Sequence, residues 1–231
     1  MNASPHAGRR VTLALAGLTA LLSTIVVLAI SGTHEGHAAT SPTHGHAVPA
    51  QTSKQLAFHD AMRKLWEDHI TWTRLAIVSF ADDLPDLSAT EQRLLRNQDD
   101  IGNAIKPYYG KAAGNRLTAL LKEHILGAVA LMTAAKSGDQ AQIKKASASW
   151  YANANQIADF LHAANPHNWS KRAMRSMMKT HLDQTLSEAQ NRLTGHYAAD
   201  IRDYDAVHKH ILVMADGLSA GIINQFPRRF R

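Results

Sequence analysis

The sequence predicts an all-α fold, an antiparallel helical bundle of about six helices, on three observations. From about residue 53 onward, apolar residues recur with the 3.6-residue period of a helix, and no segment alternates as a strand does. Ala, Leu, Gln and Lys are frequent and aromatic residues make up only 6% of the chain, a composition that favours helices over strands. The periodic segments are joined by short connections, which place consecutive helices antiparallel.

The six helices are predicted from their apolar period and their end signals. Pro85 lies in the first connection, and Ser88 with Glu91 three residues later predicts a capping box at the start of the second helix. Asp139 and Ser170 are suited to cap the fourth and fifth helices. The predicted ranges are 54–81, 88–107, 112–136, 140–164, 171–194 and, after a corner at Gly195, a last helix to about 224.

The first 31 residues predict a signal peptide or a transmembrane signal anchor. Arg9 and Arg10 precede the run "VTLALAGLTALLSTIVVLAI", which is 20 residues long and carries no charge. This length is enough to span a bilayer, whereas small residues around 29–31 and 36–38 offer cleavage sites, so both alternatives stay open. The two arginines place the N-terminus inside and the rest outside. We therefore expect an extracytoplasmic protein, either membrane-anchored or secreted.

Residues 32–52 predict a flexible, histidine-rich linker ahead of a bundle domain over 53–231. The linker is rich in Gly, Pro, Ser and Thr, which favour irregular backbone. Short histidine-rich tracts capture transition metals through imidazole, although a polar spacer with chance histidines is the alternative. The four linker histidines are His34, His37, His44 and His46.

Four histidines on four predicted helices face the presumed core. Placed on helical wheels, they lie within the apolar stripes of their helices. A buried imidazole needs partners for its ring nitrogens, and the core of a helical bundle is where facing helices build metal sites. The sequence therefore predicts a transition-metal site, for copper or zinc, with four inner ligands: His69, His124, His181 and His208.

Further residues on the same helix faces predict support for such a site. Met177 and Met178 lie close to His181, and thioethers with imidazole suit Cu(I), while an all-histidine site suits Zn or Cu(II). Methionine also fills gaps in helical cores, which is the plainer interpretation. Asp200 lies two turns before His208 on the same side. Asn97, Gln98 and Asn153 also lie on or beside these faces, either as polar partners for the rings or as members of a buried polar network.

A weak internal duplication relates two of the histidines. The segment "LWEDHITWT" resembles "MMKTHLDQT", so His69 and His181 each have a Thr four residues later. The segment "LLKEHILG" similarly resembles "AVHKHILV". Because the loop lengths of the two halves differ, the duplication is a hypothesis only.

Several protein classes are excluded or disfavoured. The chain has no cysteine, which excludes disulfides and thiolate metal sites, and its formal charge of +6 includes no dense basic run of the kind that binds nucleic acid. It lacks a glycine-rich phosphate loop, a GxSxG elbow and an HExxH helix. The Glu-x-x-His pairs of di-iron bundles are also missing. A non-enzymatic protein is favoured, and no protein partner is indicated.

Four stretches, "LWEDHITWTRLAI", "DIGNAIKPYYG", "WYANANQIADFL" and "GHYAADIRDYDAVHKHIL", resemble a family of small, uncharacterised bacterial all-helical proteins. The similarity covers about residues 60–226. Relatives often carry the labels glycosyltransferase or acetylglutamate kinase, yet both activities need an α/β nucleotide-binding core, which an all-helical pattern does not provide. Two hypotheses follow: an exported metal-binding bundle, and a non-catalytic cell-envelope module whose buried polar network only specifies helix register.

Overall fold

The computed structural model describes residues 51–231, and this range is all-α, with five helices and no strand. The prediction of an all-α bundle is confirmed for these residues, whereas the predicted signal segment and the linker up to residue 50 lie outside them. The helices are α1 (Ser53–Ala81), α2 (Leu87–Ser137), α3 (Gln140–Ala164), α4 (Lys171–Leu193) and α5 (Tyr197–Gln225), followed by the 3₁₀ turn η1 (Pro227–Phe230).

Side-chain caps fix the starts of three helices. Thr52 and Gln55 form a capping box at α1, and Asp139 accepts two backbone N–H bonds at the start of α3. Ser170 caps α4, as predicted. The capping box predicted at Ser88 is wrong, because α2 already begins at Leu87 with no side-chain cap bond.

The second helix reverses direction at Gly110. This residue has φ 86° and ψ 168°, a backbone conformation that glycine adopts without strain. The connection predicted between the second and third helices is therefore helical except at Gly110 itself. The two arms, 87–109 and 111–137, lie against each other, since a Cβ on Gly114 would approach the carbonyl oxygen of Gly102 to 2.6 Å. Thr118 also donates a hydrogen bond to the carbonyl of Gln98 across this contact, at 3.3 Å.

The helices form a closed ring of neighbours around one main core. Each helix packs against the next along the chain, and α5 packs back against α1. The first arm of α2 joins α1, where Asn97 donates to the carbonyl of Leu65 at 3.0 Å. The second arm joins α3, where Asn153 donates to the carbonyl of Leu120 at 3.2 Å. Residues from all five helices therefore face the same interior.

Within residues 51–231, α2 alone is long and apolar enough to cross a membrane, by length and composition. A core helix of a soluble bundle meets the same criteria. Here the chain turns back at Gly110, and many of the apolar side chains of α2 lie in the core. We therefore interpret α2 as a core helix.

Candidate metal centre

Three of the four predicted histidines meet in the bundle core. His69 on α1, His124 on the second arm of α2 and His181 on α4 are each only 3–4% exposed. The ring centre of His181 lies 5.9 Å from that of His69 and 6.2 Å from that of His124. His181 therefore stands between two imidazoles that come from other helices.

These ring separations are near those of imidazoles that share an ion. With metal–nitrogen bonds of about 2 Å, two rings at a tetrahedral angle have centres about 5 Å apart, and two rings in line about 6 Å apart. As the side chains stand, no group of three or more His, Asp or Glu in residues 51–231 is arranged to hold a metal ion. A shift of the rings by about 1 Å or a low-coordinate geometry is thus required.

His124 presents an unpartnered lone pair. Its Nδ1 lies 3.0 Å from Oδ1 of Asn153, and the amide nitrogen of Asn153 is committed to the carbonyl of Leu120. The amide oxygen therefore accepts a proton from Nδ1 of the ring, which leaves Nε2 as the acceptor nitrogen. That Nε2 atom is buried and has no hydrogen-bond partner. An amide that orients the far side of the ring is the arrangement typical of a metal-binding histidine.

His181 has a second unpartnered ring nitrogen, because its Nδ1 is buried without a hydrogen bond. The Thr residues that the repeat places after His69 and His181 bond back to the histidine carbonyls. Thr73 donates to the carbonyl of His69 at 2.8 Å and Thr185 to that of His181 at 2.9 Å. The similarity of the two segments thus extends to their local bonding, although duplication of the whole half is not shown.

His69 contacts a buried amide pair on α2. Its Nδ1 lies 3.3 Å from Nε2 of Gln98, whose amide also donates to the side-chain oxygen of Asn97 at 3.2 Å. Both amide side chains are fully buried. The same amide nitrogen donates to the carbonyl of Leu94 at 2.8 Å, so Nδ1 of His69 is an acceptor and Nε2 carries the ring proton as the side chains stand. Metal binding by Nε2 would require the ring proton to move to Nδ1 and the unpartnered amide oxygen of Gln98 to turn toward it.

The three imidazoles line an internal cavity of about 30 Å³. A water molecule occupies about 10–15 Å³ on this measure, so the space suits an ion or two waters and not a haem. Apart from the histidine nitrogens the wall is almost wholly apolar. Three methionines line it, Met62, Met178 and Met214, each at most 4% exposed.

All three rings are held neutral by burial. Desolvation, reinforced by His124, lowers the pKa of His69 to about 3. Desolvation also lowers the pKa of His124 to about 4. For His181, burial and the neighbouring histidines hold the pKa well below its ordinary value of 6.5. Because a metal binds the neutral imidazole, ligand nitrogens are available here well below neutral pH.

The structure corrects the prediction that His208 faces the core. Its side chain is 31% exposed, and Nε2 lies 2.7 Å from Oε1 of Glu67. On a helical wheel His208 lies beside Ile201, an apolar residue of α5 that suggests a buried face but is 55% exposed. The buried face of α5 instead includes Val207, Ile211, Met214 and Ala215.

Of the residues predicted to support the site, only one lines the cavity. Met178 lines the cavity, whereas the partly buried Met177 does not. Asp200 is fully buried, but its carboxylate pairs with Arg74 on α1 and not with an imidazole, so its supporting role is corrected. The linker histidines His34, His37, His44 and His46 lie outside the described residues.

A buried cluster of charged side chains beside α4 was not predicted from the sequence. Arg74 donates to Glu188 at 3.0 Å and binds Asp200 through two bonds, one of them 2.9 Å long. Both carboxylates are 0% exposed. Burial, opposed by Arg74, raises the pKa of Glu188 to about 7. A signal existed, since Glu188 continues the apolar stripe of α4 one turn beyond Thr185.

Comparison of the chain with protein-family models, with curated proteins and with solved structures finds no match in any of the three.

Proposed function

We propose that this protein binds one transition-metal ion in the core cavity between His69, His124 and His181. The observation that carries the proposal is the buried, unpartnered Nε2 of His124, whose far ring nitrogen is held by Asn153. Leaving such an acceptor unpaired costs about 1–3 kcal/mol, and a metal ion would recover this cost. His181 lines the same cavity and has an unpartnered Nδ1 of its own.

Copper(I) is the ion that the cavity suits best, ahead of zinc. No carboxylate lines the cavity, so three neutral ligands leave the full charge of the ion uncompensated. The free-energy cost of burying an ion rises steeply with its charge, which favours a monovalent ion over a divalent one. The thioethers of Met62, Met178 and Met214 are soft ligands of the kind that select Cu(I).

The ring spacing supports the same choice. Centre separations of 5.9 and 6.2 Å lie closer to two rings in line, about 6 Å, than to the tetrahedral arrangement preferred by zinc, about 5 Å. An ion in line between two rings binds His181 and one of its neighbours, with the third imidazole beside it. Since the cavity wall offers no carboxylate, hydroxyl, amide or cationic side chain beside the imidazoles, we infer that the site holds an ion and does not catalyse a reaction. We also propose an extracytoplasmic location, either membrane-anchored or secreted, on the basis of residues 1–31. The histidines of the linker would form a separate, loose capture site for metal.

The test is metal binding by the purified full chain. The four linker histidines are first replaced by Asn, so that loose capture does not obscure the count. With Cu(I) under anaerobic conditions we expect one ion per chain, bound with little change in affinity between pH 8 and 6, because the core imidazoles are neutral throughout.

Matched variants separate ligands from bystanders. The double variant His124→Leu, His181→Leu should lose the ion, whereas His208→Gln should keep it. Asn153→Ala leaves every proposed ligand in place and should weaken affinity about 10–100-fold. Zinc bound in preference to copper would correct the choice of metal. Stoichiometry unchanged in a folded double variant, with a melting temperature that ignores copper, would leave the buried polar network as a purely structural element.

A further inference from the structure

One end of the bundle carries a strongly asymmetric charge. The start of α1, the reversal at Gly110, the end of α3, the start of α4 and the end of α5 all meet there. Thr52 donates to the carbonyl of Phe230 at 2.6 Å, and Gln225 donates to that of Ala164 at 3.1 Å. We call this end, formed by residues 51–58, 103–116, 162–172 and 221–231, the basic pole.

The basic pole contains nine Lys and Arg residues and no Asp or Glu. Eight of the nine are exposed, and only Lys171 among the nine pairs with a carboxylate within the described range. The residues are Lys54, Lys106, Lys111, Arg116, Lys171, Arg172, Arg228, Arg229 and Arg231.

The connection between α1 and α2, at the opposite end of the bundle, is acidic. Asp82, Asp83 and Asp86 follow α1 within five residues, with no Lys or Arg between 75 and 92. Arg192 of α4 binds Asp82 there, and Lys136 of α2 binds Asp83. Unpaired positive charge is thus concentrated at the basic pole, and an anionic surface would turn this pole toward itself.

Aromatic side chains pack against one another within the basic pole. The rings of Phe58, Tyr108 and Phe230 lie 5.1–5.5 Å from one another, and Tyr109 packs on Phe226 at 5.3 Å. These aromatic side chains are largely engaged with each other, so few faces are free to stack on nucleic-acid bases. The charge without a stacking platform favours a lipid surface over a single-stranded nucleic acid.

The chain also enters the bundle at this pole. Twenty residues, 31–50, separate Gln51 from the uncharged apolar run 11–30. The basic pole therefore contains the first described residues after the segment that the sequence predicts as a signal peptide or signal anchor.

We propose that the basic pole docks on an anionic phospholipid surface. This inference is independent of the metal site, because none of the nine cations lies in the cavity wall. Each Lys or Arg near an anionic surface strengthens binding about fivefold. Removing three of them should therefore weaken docking on the order of 100-fold.

The experiment uses the full chain, which contains no cysteine, reconstituted in vesicles whose headgroups carry an energy acceptor. A donor dye is attached at Ala112→Cys, on the basic pole, or at Ala89→Cys, near the acidic end; both positions are exposed. With phosphatidylglycerol present, energy transfer from position 112 should rise above that from position 89. It should fall again in phosphatidylcholine alone, or in about 0.5 M salt, where charges are screened beyond about 4 Å.

Two triple variants lose the same net charge and provide the decisive comparison. Replacing Arg228, Arg229 and Arg231 by Gln should abolish the transfer from position 112. Replacing Lys144, Lys145 and Lys209, all exposed and outside the pole, by Gln should preserve it. Equal losses in the two variants, or transfer that ignores phosphatidylglycerol, would overturn the proposal. Arginine-dependent binding of an oligonucleotide without any lipid response would also overturn it and identify a nucleic-acid surface.

Discussion

Acid should destabilise this protein steeply, because three histidines are buried in their neutral form. Their unfolded-state pKa is near 6.5, whereas the folded values for His69 and His124 are about 3 and 4. A lowered pKa contributes stability that is present above pH 6.5 and lost as the pH falls toward the folded value. At pH 5 each of these two histidines costs about 2 kcal/mol relative to neutral pH. His181 acts in the same direction.

Glu188 opposes this loss over part of the range. Its pKa rises from 4.5 to about 7 on folding, so the folded state takes up a proton first and the free energy of unfolding increases as the pH falls from 7 to 4.5. By pH 5 the gain is about 2–3 kcal/mol. The histidines still prevail, since two of them already cost about 4 kcal/mol and the third adds to that. Below pH 4.5 the gain has ended while the histidine loss continues.

The assay is urea unfolding at a series of pH values from 7.5 to 4.5. We expect the free energy of unfolding to fall modestly to pH 6 and steeply below pH 5. His124→Gln should reduce the slope by about 1.4 kcal/mol per pH unit, whereas His167→Gln, at an exposed position, should leave it unchanged. Because the slope is compared, a general loss of stability in the variant does not affect the result. A flat profile, or equal slopes in the two variants, would refute the reasoning.

Two further predictions concern packing and charge. Gly221→Ala should destabilise the bundle by about 1–3 kcal/mol, because its Cβ would meet Nε1 of Trp169 at 2.1 Å, whereas Gly217→Ala, with open space around its Cβ, should stabilise the same helix by up to about 1 kcal/mol. Arg74→Met should cost about 3–5 kcal/mol, because the fully buried Glu188 loses its cation and the fully buried Asp200 keeps only Arg192, at 3.8 Å. Arg63→Met breaks only a half-exposed pair and should cost at most about 1 kcal/mol. Thermal and urea unfolding of each pair of variants check both predictions.

The sequence predicted what local periodicity can encode. The bounds of α1, α3 and α4 follow from apolar spacing and caps within a few residues of the structure. His69, His124 and His181 face the core because most of the apolar residues in their stripes are buried. His208 does not, because a wheel cannot distinguish an exposed isoleucine from a buried one.

Contacts between distant segments could not be predicted in the same way. The partners of Arg74 lie 114 and 126 residues away, and nothing in the local pattern pairs them. Met62 and Met214 line the cavity from α1 and α5, and nothing in the local pattern distinguishes them from methionines that only fill a helical core. The reversal at Gly110 was expected as a loop, since Pro107 and glycine usually end a helix, but the helical conformation resumes at once.

The closed ring of helices has a consequence for the order of folding. Neighbouring helices make contacts that are mostly 12–33 residues apart, which form quickly because short loops cost little entropy. The contacts of α1 with α5 span 126–157 residues and should form last. His181 reaches His69 only when this ring closes. We expect the contact between His69 and His181 to form after the folding transition state. A metal ion bound between these residues should therefore slow unfolding far more than it speeds folding.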